Sequence, residues 1–283
     1  MSNRVLALFR VSNPMIRKEL RQRLRERRAW LLPFLYLLVL SGTVAFCYYM
    51  VVQEGTRRGA ELQGADIGQA IFYTVLFTQL AVLLLMAPVF SAGAITIEKE
   101  QRTLSGLLTS LLTAPQIWLG KYVSALLYLF LLLFSALPLL ALSFAFGGVE
   151  PMSLLKATGA MVLVLASISA VGLWCSATFR RSVHSTAAAY AIVLVLTILT
   201  AVVFGILLAH WSASPAGSHQ DPPPVYVQAP LFLNPIYPFL SLLDDVDVRK
   251  FAYPASSCLL FTAMGLLAAA FAIRRLRRSG EQV

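Results

Sequence analysis

The sequence predicts an all-α membrane protein with six transmembrane helices. Hydrophobic residues make up 58% of its 283 residues and charged residues only 13%, whereas soluble domains are near 45–50% apolar and about 25% charged. Six stretches of at least 23 residues carry no charged side chain, and a helix needs about 20 apolar residues to cross the hydrocarbon core of a bilayer. These observations favour a single transmembrane domain, residues 1–283, over a soluble helical bundle.

The six predicted spans cover residues 30–52, 67–97, 117–146, 152–179, 184–209 and 251–273. The second and third runs exceed one bilayer thickness, so they must tilt, kink or continue past the interface. Pro88 with Gly93, and Pro138, are the expected kink points, because proline removes a hydrogen bond from the helix. A re-entrant hairpin inside the second span is the alternative.

Basic residues are distributed unevenly among the predicted loops. Nine precede span 1, three lie between span 2 and the first turns of span 3, two follow span 4 and four follow span 6, which places 18 of 23 on one side. Because Lys and Arg are enriched in cytoplasmic loops, both termini are predicted to be cytoplasmic, in a plasma (inner) membrane. Topology thereby accounts for the net charge of +10 without a nucleic-acid partner. The first 29 residues lack a signal-peptide core, so span 1 is expected to be retained.

An interfacial helix is predicted at residues 13–28. Asn13 can cap it and Pro14 suits its first turn. A narrow apolar stripe is surrounded by arginines, which suits a helix lying on anionic headgroups of the bilayer. Contact with a cytoplasmic partner is a further use of the same face. The positions that define this helix are Arg17, Glu19, Leu20, Arg23 and Leu24.

A second amphipathic helix is predicted at residues 98–112, between spans 2 and 3. Four leucines recur at the spacing i, i+3, i+4, i+7, which places them on one helical face, and two glutamates at the start suit the positive helix end. The leucine face can rest on lipid, on the bundle or in the groove of a partner. These residues are Glu98, Glu100, Leu104, Leu107, Leu108 and Leu111.

The sequence contains no recognisable catalytic, metal-binding or nucleotide-binding motif. H-E-x-x-H, G-x-S-x-G and the phosphate loop G-x-x-x-x-G-K-[ST] are all absent, so neither hydrolysis within the membrane nor ATP binding is predicted for this chain. Asp244, Asp245 and Asp247 form one acidic cluster. A magnesium–pyrophosphate centre needs two such motifs, so a solvated loop is expected there and no metal site.

The segment 211–250 is predicted to be an extracytoplasmic loop. Its first half is rich in proline, which opposes regular structure, and its second half is apolar. We expect the apolar half to lie at the outer interface, anchored by Tyr226 and Tyr237. An extracytoplasmic protein partner would bind at this loop.

The polar side chains at membrane depth are uncharged ones. Ion-coupled transporters usually bury charged groups, so a path lined by these residues would suit an amphipathic or apolar substrate. Gln79, Tyr128 and Thr197 are the candidates for such a path. Hydrogen bonding between helices is the alternative role for most of these side chains.

The stretch EKEQRTLSGLLTSLLTAPQIWLGKYVSALLYLF, residues 98–130, resembles the signature region of the type-2 ABC exporter permeases. That family reads roughly E-x-E-x-G-T-L-E-x-L-L-x-T-P, followed by an L-G-K that opens span 3. R-K-E-L at residues 17–20 is also typical. Arg102 stands where the family often has glycine, and Ser105 and Gly106 stand where it often has glutamate and a larger residue. The matching residues are Glu98, Glu100, Thr103, Leu104, Leu107, Leu108, Leu119, Gly120 and Lys121.

The resemblance implies that the chain is the membrane half of an ATP-driven pump. Two permease copies, or two related chains, would pair in the bilayer, and two copies of a separate ABC ATPase subunit, which binds ATP and Mg²⁺, would dock on the cytoplasmic side. Residues 13–28 would form a connecting helix. Residues 98–112 would form the helix that couples to the ATPase through Glu98, Glu100, Arg102, Thr103, Leu104, Leu107, Leu108 and Leu111.

The resemblance thus implies export, and the uncharged path residues favour an amphipathic or apolar substrate. Because the phosphate loop is missing, the chain itself is expected to be no enzyme and to hold no cofactor. Two alternatives stay open at this point. The chain is a non-transporting subunit that couples an ATPase to an extracytoplasmic protein, or it is an intramembrane enzyme that modifies lipid.

Overall fold

A computed structural model of the chain describes residues 28–58, 63–103, 113–147, 149–212, 224–237 and 254–280. These residues are helical almost throughout, and no β-strand occurs among them. The helices are α1 (Arg28–Arg58), α2 (Gly64–Ser91), α3 (Thr96–Glu100), α4 (Ala114–Ser135), α5 (Leu137–Phe146), α6 (Pro151–Thr178), α7 (Ser182–Leu194), α8 (Thr200–Ser212), α9 (Val225–Phe232) and α10 (Pro254–Gly280), with a π-helical turn at Val195–Leu199 between α7 and α8.

Six segments of the described chain are long and apolar enough to cross a membrane, which confirms the predicted all-α class and the number of spans. They are numbered spans 1 to 6 in chain order: Leu31–Arg57, Gly64–Glu100, Ala114–Phe146, Pro151–Thr178, Ser182–Ser212 and Ser256–Arg278.

Both long runs bend close to the predicted prolines. After Pro88, α2 ends at Ser91 and the chain turns before α3 begins at Thr96. The third run breaks at Ala136, and Pro138 lies in the first turn of α5, where its missing N–H costs no hydrogen bond. The second run forms one helix of 28 residues, so it does not form the re-entrant hairpin.

Several helices extend beyond the predicted spans. Helix α1 continues to Arg58 and α10 continues to Gly280, although their last residues are polar or charged. The length of an apolar run predicts only the part of a helix that crosses the hydrocarbon core. The helix itself can continue beyond it into water.

Helix α6 forms the centre of the bundle. In its most apolar stretch 78% of residues are buried, against 50% for span 2, 17% for span 1 and 11% for span 5. Val164 and Leu165 of α6 pack with Leu83 of α2 and Leu129 of α4 in the main core. The largely exposed faces of spans 1, 5 and 6 are apolar, as expected for surfaces that lie against lipid or another subunit.

The segment after span 5 packs back against that span. The Asn234 amide donates from Nδ2 to the Thr197 carbonyl and to Thr200 Oγ1, at 3.0 Å each. Thr200 lies about 18 Å along the helix from Ser212. Of the two predicted surface anchors, the Tyr237 side chain is fully buried, whereas Tyr226 is 66% exposed.

The predicted helix 98–112 is not continuous in the structure. Glu98 and Glu100 belong to α3, and Arg102 has a φ of +57°, a left-handed conformation that ends a right-handed helix. Two sets of predicted residues lie outside the described part of the chain: Leu104, Leu107, Leu108 and Leu111 of the second amphipathic helix, and Arg17, Glu19, Leu20, Arg23 and Leu24 of the first.

Candidate functional site

Polar side chains tie the end of span 2 to three other spans. We call this cluster the charged junction. It is centred on α3, which contacts the first turns of span 3, the end of span 4 and the start of span 5. Its members are Glu98, Lys99, Glu100, Lys121, Ser176 and Ser182.

Ser176 of α6 holds the start of α3. Its Oγ accepts hydrogen bonds from the backbone N–H groups of Ile95, at 2.8 Å, and Thr96, at 3.0 Å, and the side chain is fully buried. The first N–H groups of a helix have no partner within that helix. Span 4 therefore supplies the cap that orients α3.

Lys99 makes the reverse connection, from α3 to the end of α6. Its Nζ donates to the carbonyl oxygens of Ser176, Ala177 and Phe179, at 2.9, 2.7 and 2.9 Å. The last carbonyls of a helix also lack partners, and a cation is favourable at the negative helix end. An ammonium group has three donors, and all three are used here.

Glu98 connects α3 to span 3 through a buried ion pair. Its Oε1 lies 2.7 Å from Lys121 Nζ, and the two side chains are 17% and 3% exposed. Removing one partner from such a pair leaves an uncompensated buried charge, which costs about 3–5 kcal/mol. The pair thereby fixes the distance between the ends of spans 2 and 3.

Glu100 connects α3 to the start of span 5. Its Oε1 accepts hydrogen bonds from the Ser182 backbone N–H at 2.7 Å and the Ser182 hydroxyl at 2.9 Å. A carboxylate at the N-terminus of α7 satisfies an unpaired donor and complements the positive helix end. In effect, span 2 caps span 5.

The chain leaves α3 through a Schellman motif. The Arg102 N–H donates to the Lys99 carbonyl at 3.2 Å, and the Thr103 N–H donates to the Glu98 carbonyl at 3.0 Å. These bonds require a left-handed residue at Arg102, a position that favours glycine. This geometry explains why the type-2 ABC exporter permeases, which the sequence resembles, often have glycine at the position of Arg102.

The chain returns to the bundle at the start of α4. Gln116 Oε1 accepts the Thr113 N–H at 2.9 Å, which is one half of a capping box. Thr103 after α3 and Thr113 before α4 are thus each held by local hydrogen bonds, and residues 104–112 between them lie outside the described part of the chain.

The three predicted path residues do not share one surface. Gln79 is buried and donates from Nε2 to the Leu133 carbonyl of α4 at 3.1 Å. Tyr128 packs on Phe90, with ring centroids 4.5 Å apart, so both side chains lie where α2 meets α4. Thr197 lies in span 5 and donates to the carbonyl of Val193. The contact made by Gln79 fits the alternative role in helix packing.

Sequence reasoning overlooked Lys99, Ser176, Ser182 and Asn234. Each connects segments that are about 35 to 80 residues apart, and neither periodicity nor spacing reports such pairings. A signal was present for Asn234, since it is the only carboxamide within the apolar run 229–243.

Within the described ranges no group of three His, Cys, Asp or Glu residues could hold a metal ion. Asp244, Asp245 and Asp247 lie outside those ranges.

A family model described as ABC-2 family transporter protein matches residues 14–280. The chain belongs to this family. Comparison with curated proteins finds no match. Family membership and the six spans make this ABC-2 protein a transmembrane subunit of an ABC transporter, a kind of assembly whose ATPase is a separate subunit. The resemblance seen in residues 98–130 is thereby confirmed, and the charged junction contains the first residues of the segment 98–112 to which that resemblance assigns coupling.

Proposed function

We propose that the chain exports an amphipathic or apolar substrate, as one of two permease copies or related chains driven by two ABC ATPase subunits. The ATPases bind ATP and Mg²⁺. The charged junction and both termini face the cytoplasm, and the membrane is the plasma (inner) membrane. The uneven distribution of Lys and Arg supports this orientation.

The observation that carries the proposal is the way in which the charged junction connects α3, which precedes residues 104–112 in the chain, to spans 3, 4 and 5. A force on this segment reaches α3 through Thr103 and α4 through Thr113. From α3 it reaches span 3 through Lys121, span 4 through the Lys99 contacts and span 5 through Ser182. One cytoplasmic push would thus reach four spans.

The junction changes the roles that we propose for individual residues. Glu98 and Glu100 bind the bundle itself, so they position the coupling segment and leave the contact with the ATPase to others. We assign that contact to Leu104, Leu107, Leu108 and Leu111. To the interfacial helix predicted at residues 13–28 we assign the role of connecting helix, with Arg17, Glu19, Leu20, Arg23 and Leu24 as its defining positions.

The chemistry of the spans supports an amphipathic or apolar substrate. Exposed side chains on spans 1, 5 and 6 are mostly aliphatic or aromatic. Buried polar side chains at mid-membrane depth, such as Gln79 and Ser169, are uncharged. A path with these groups offers hydrogen bonds but no counter-ion, so it does not favour a small ion.

The coupling assignment is tested with the double variant Leu104→Asp, Leu107→Asp in the full chain. The intact chain should co-purify with a protein that carries a phosphate loop, and vesicles containing both should show nucleotide-dependent export. The double variant should lose both properties, because aspartates oppose docking in an apolar cleft.

Val183→Asp is the matched control, since Val183 is 74% exposed at the start of α7 and lies outside the proposed contact. It should leave the complex intact. A normal complex with the double variant would refute the coupling role of the leucines. An intact, ATP-hydrolysing complex that moves no substrate but acts on an extracytoplasmic protein would refute export and support the non-transporting alternative.

A further inference from the structure

An apolar cavity of about 420 Å³ lies between spans 4, 5 and 6. Val171 and Trp174 of span 4 and Ile192 of span 5 form its inner wall, and Leu233 from the segment after α9 borders it. Its outer wall follows α10 from Leu260 to Phe271. Leu267 and Phe271 are more than half exposed, so the cavity opens on the outer surface of the bundle.

The cavity has the length of one bilayer leaflet. The distance along α10 from Leu260 to Phe271 is about 16 Å, and half of the hydrocarbon core is about 15 Å. Every lining side chain is apolar apart from the indole N–H of Trp174. An apolar cavity that opens on the outer surface of a membrane-spanning bundle is complementary to a hydrocarbon chain, because an empty one would forfeit dispersion contacts along its walls.

The basic end of α10 supplies a charge at one end of the cavity. The Arg274 guanidinium lies 6.0 Å from the ring centroid of Phe271, which itself lines the cavity. Arg277 and Arg278 follow in the last turns and are exposed. An amphiphile whose tail enters the cavity would therefore place its headgroup next to positive charge.

From this geometry we propose that the cavity binds one acyl chain of an anionic membrane phospholipid, with the headgroup at Arg274. A helix of a second copy is a poor fit, since a helix is about 10 Å wide and 16 Å of it would need roughly three times this volume. The site requires only that the chain spans a membrane, so it does not rest on the proposed export.

The test uses the full chain in nanodiscs that contain a phospholipid with a photoactivatable acyl chain. Phosphatidylglycerol and phosphatidylcholine versions are compared, and labelled peptides are identified by mass spectrometry. We expect labelling to concentrate at Trp174 and along residues 260–271. Phosphatidylglycerol should label about fivefold more strongly, which is the effect of one basic side chain near an anionic headgroup.

Two pairs of variants separate the tail site from the headgroup site. Ala263→Trp fills the cavity and should remove most of the labelling, whereas Ala270→Trp, on an exposed part of α10 outside the lining, should not. Arg274→Gln should abolish the preference for phosphatidylglycerol and retain the labelled positions, whereas Arg278→Gln should keep most of the preference.

Labelling spread evenly over span 1 and span 6 in the unaltered chain would overturn the acyl-chain site, whether or not the tryptophan variants fold. Equal labelling by both lipids would overturn the headgroup site. A crosslink between two copies of the chain, formed by a photoreactive amino acid in place of Ala263, would overturn the acyl-chain site and show that the face is an interface between copies.

Discussion

At the scale of single residues, the charged junction is built from helix ends that satisfy one another. Lys99 donates hydrogen bonds to the last carbonyl groups of α6. Ser176 accepts them from the N–H groups at the start of α3, and Glu100 accepts one from the first N–H of α7. A helix end that is buried without partners is costly. These side chains therefore stabilise the end of the bundle and fix the positions of its helices at the same time.

Arg102 offers a test of the Schellman motif after α3. A left-handed conformation costs a residue with a Cβ atom roughly 1–2 kcal/mol and costs glycine far less. Arg102→Gly should therefore be more stable than Arg102→Ala by about 1 kcal/mol, because the two variants lose the same side-chain interactions. Thermal unfolding in detergent measures the difference. If the Arg102→Ala variant is as stable as the Arg102→Gly variant, or more stable, the left-handed assignment of Arg102 is wrong.

At the scale of helices, α2 and α6 approach closely beside the charged junction. A Cβ atom added at Gly172 would overlap the hydroxyl of Ser91 and lie 2.9 Å from its Cβ. Ser91 lies at the end of α2, where the chain turns towards α3. The glycine thus permits the crossing that brings Ser176, one turn further along α6, to the start of α3.

Gly172→Ala should destabilise the protein by about 1–3 kcal/mol, the usual effect of overpacking. Gly159 in the same helix is the matched control, since an added Cβ there meets nothing within 4 Å. Gly159→Ala should stabilise by about 0.5–1 kcal/mol, because alanine is the better helix former.

Denaturant titration in mixed micelles compares the two glycine variants. Ser91→Gly, combined with Gly172→Ala, should recover part of the loss by removing the overlapping side chain. Equal effects of the Gly159 and Gly172 substitutions would contradict the close crossing.

The number and order of the spans follow from the sequence because hydrocarbon imposes a severe rule. Every backbone N–H within the membrane must form its hydrogen bond inside the protein. A long apolar run therefore forms a helix. The breaks near Pro88 and Pro138 follow from the missing N–H of proline. These features depend on neighbours in sequence, which is why composition and spacing predict them.

The contacts of the junction do not follow in the same way. Glu98 and Glu100 are separated by one residue, yet one binds Lys121 of span 3 and the other binds Ser182 of span 5. Their spacing suggested the start of an amphipathic helix directed at a partner. Which helix end each carboxylate reaches depends on how the spans pack against one another. That packing includes the close contact between Gly172 and Ser91, which a pattern of apolar residues does not predict.

At the scale of the whole molecule, the described structure has a tightly packed centre and a looser outer surface. Span 4 is buried within the bundle, and spans 1 and 5 expose most of their apolar faces. The charged junction links spans 2, 3, 4 and 5 at one end of the molecule. This arrangement suits a membrane subunit whose outer faces meet lipid or a second permease, and whose motion is imposed from one end.

The most direct test of this account measures whether the charged junction transmits motion from a bound ATPase. Spin labels are placed at Val183, at the junction end of span 5, and at Leu155, at the opposite end of span 4, both highly exposed. Double electron–electron resonance then compares the nucleotide-free complex with one trapped in the ATP-bound state. The distance should change in the unaltered chain, and the change should be smaller with Lys99→Met, because that variant removes one link from α3 to span 4 while Glu100 still holds span 5 and Ser176 still caps α3.

Arg180→Gln is the control, since it removes a neighbouring basic side chain and leaves the carbonyl contacts of Lys99 in place; it should behave like the unaltered chain. The account predicts an ATP-dependent distance change that Lys99→Met reduces with the complex intact. An unchanged distance in the hydrolysing complex, or the full change in Lys99→Met, would contradict it.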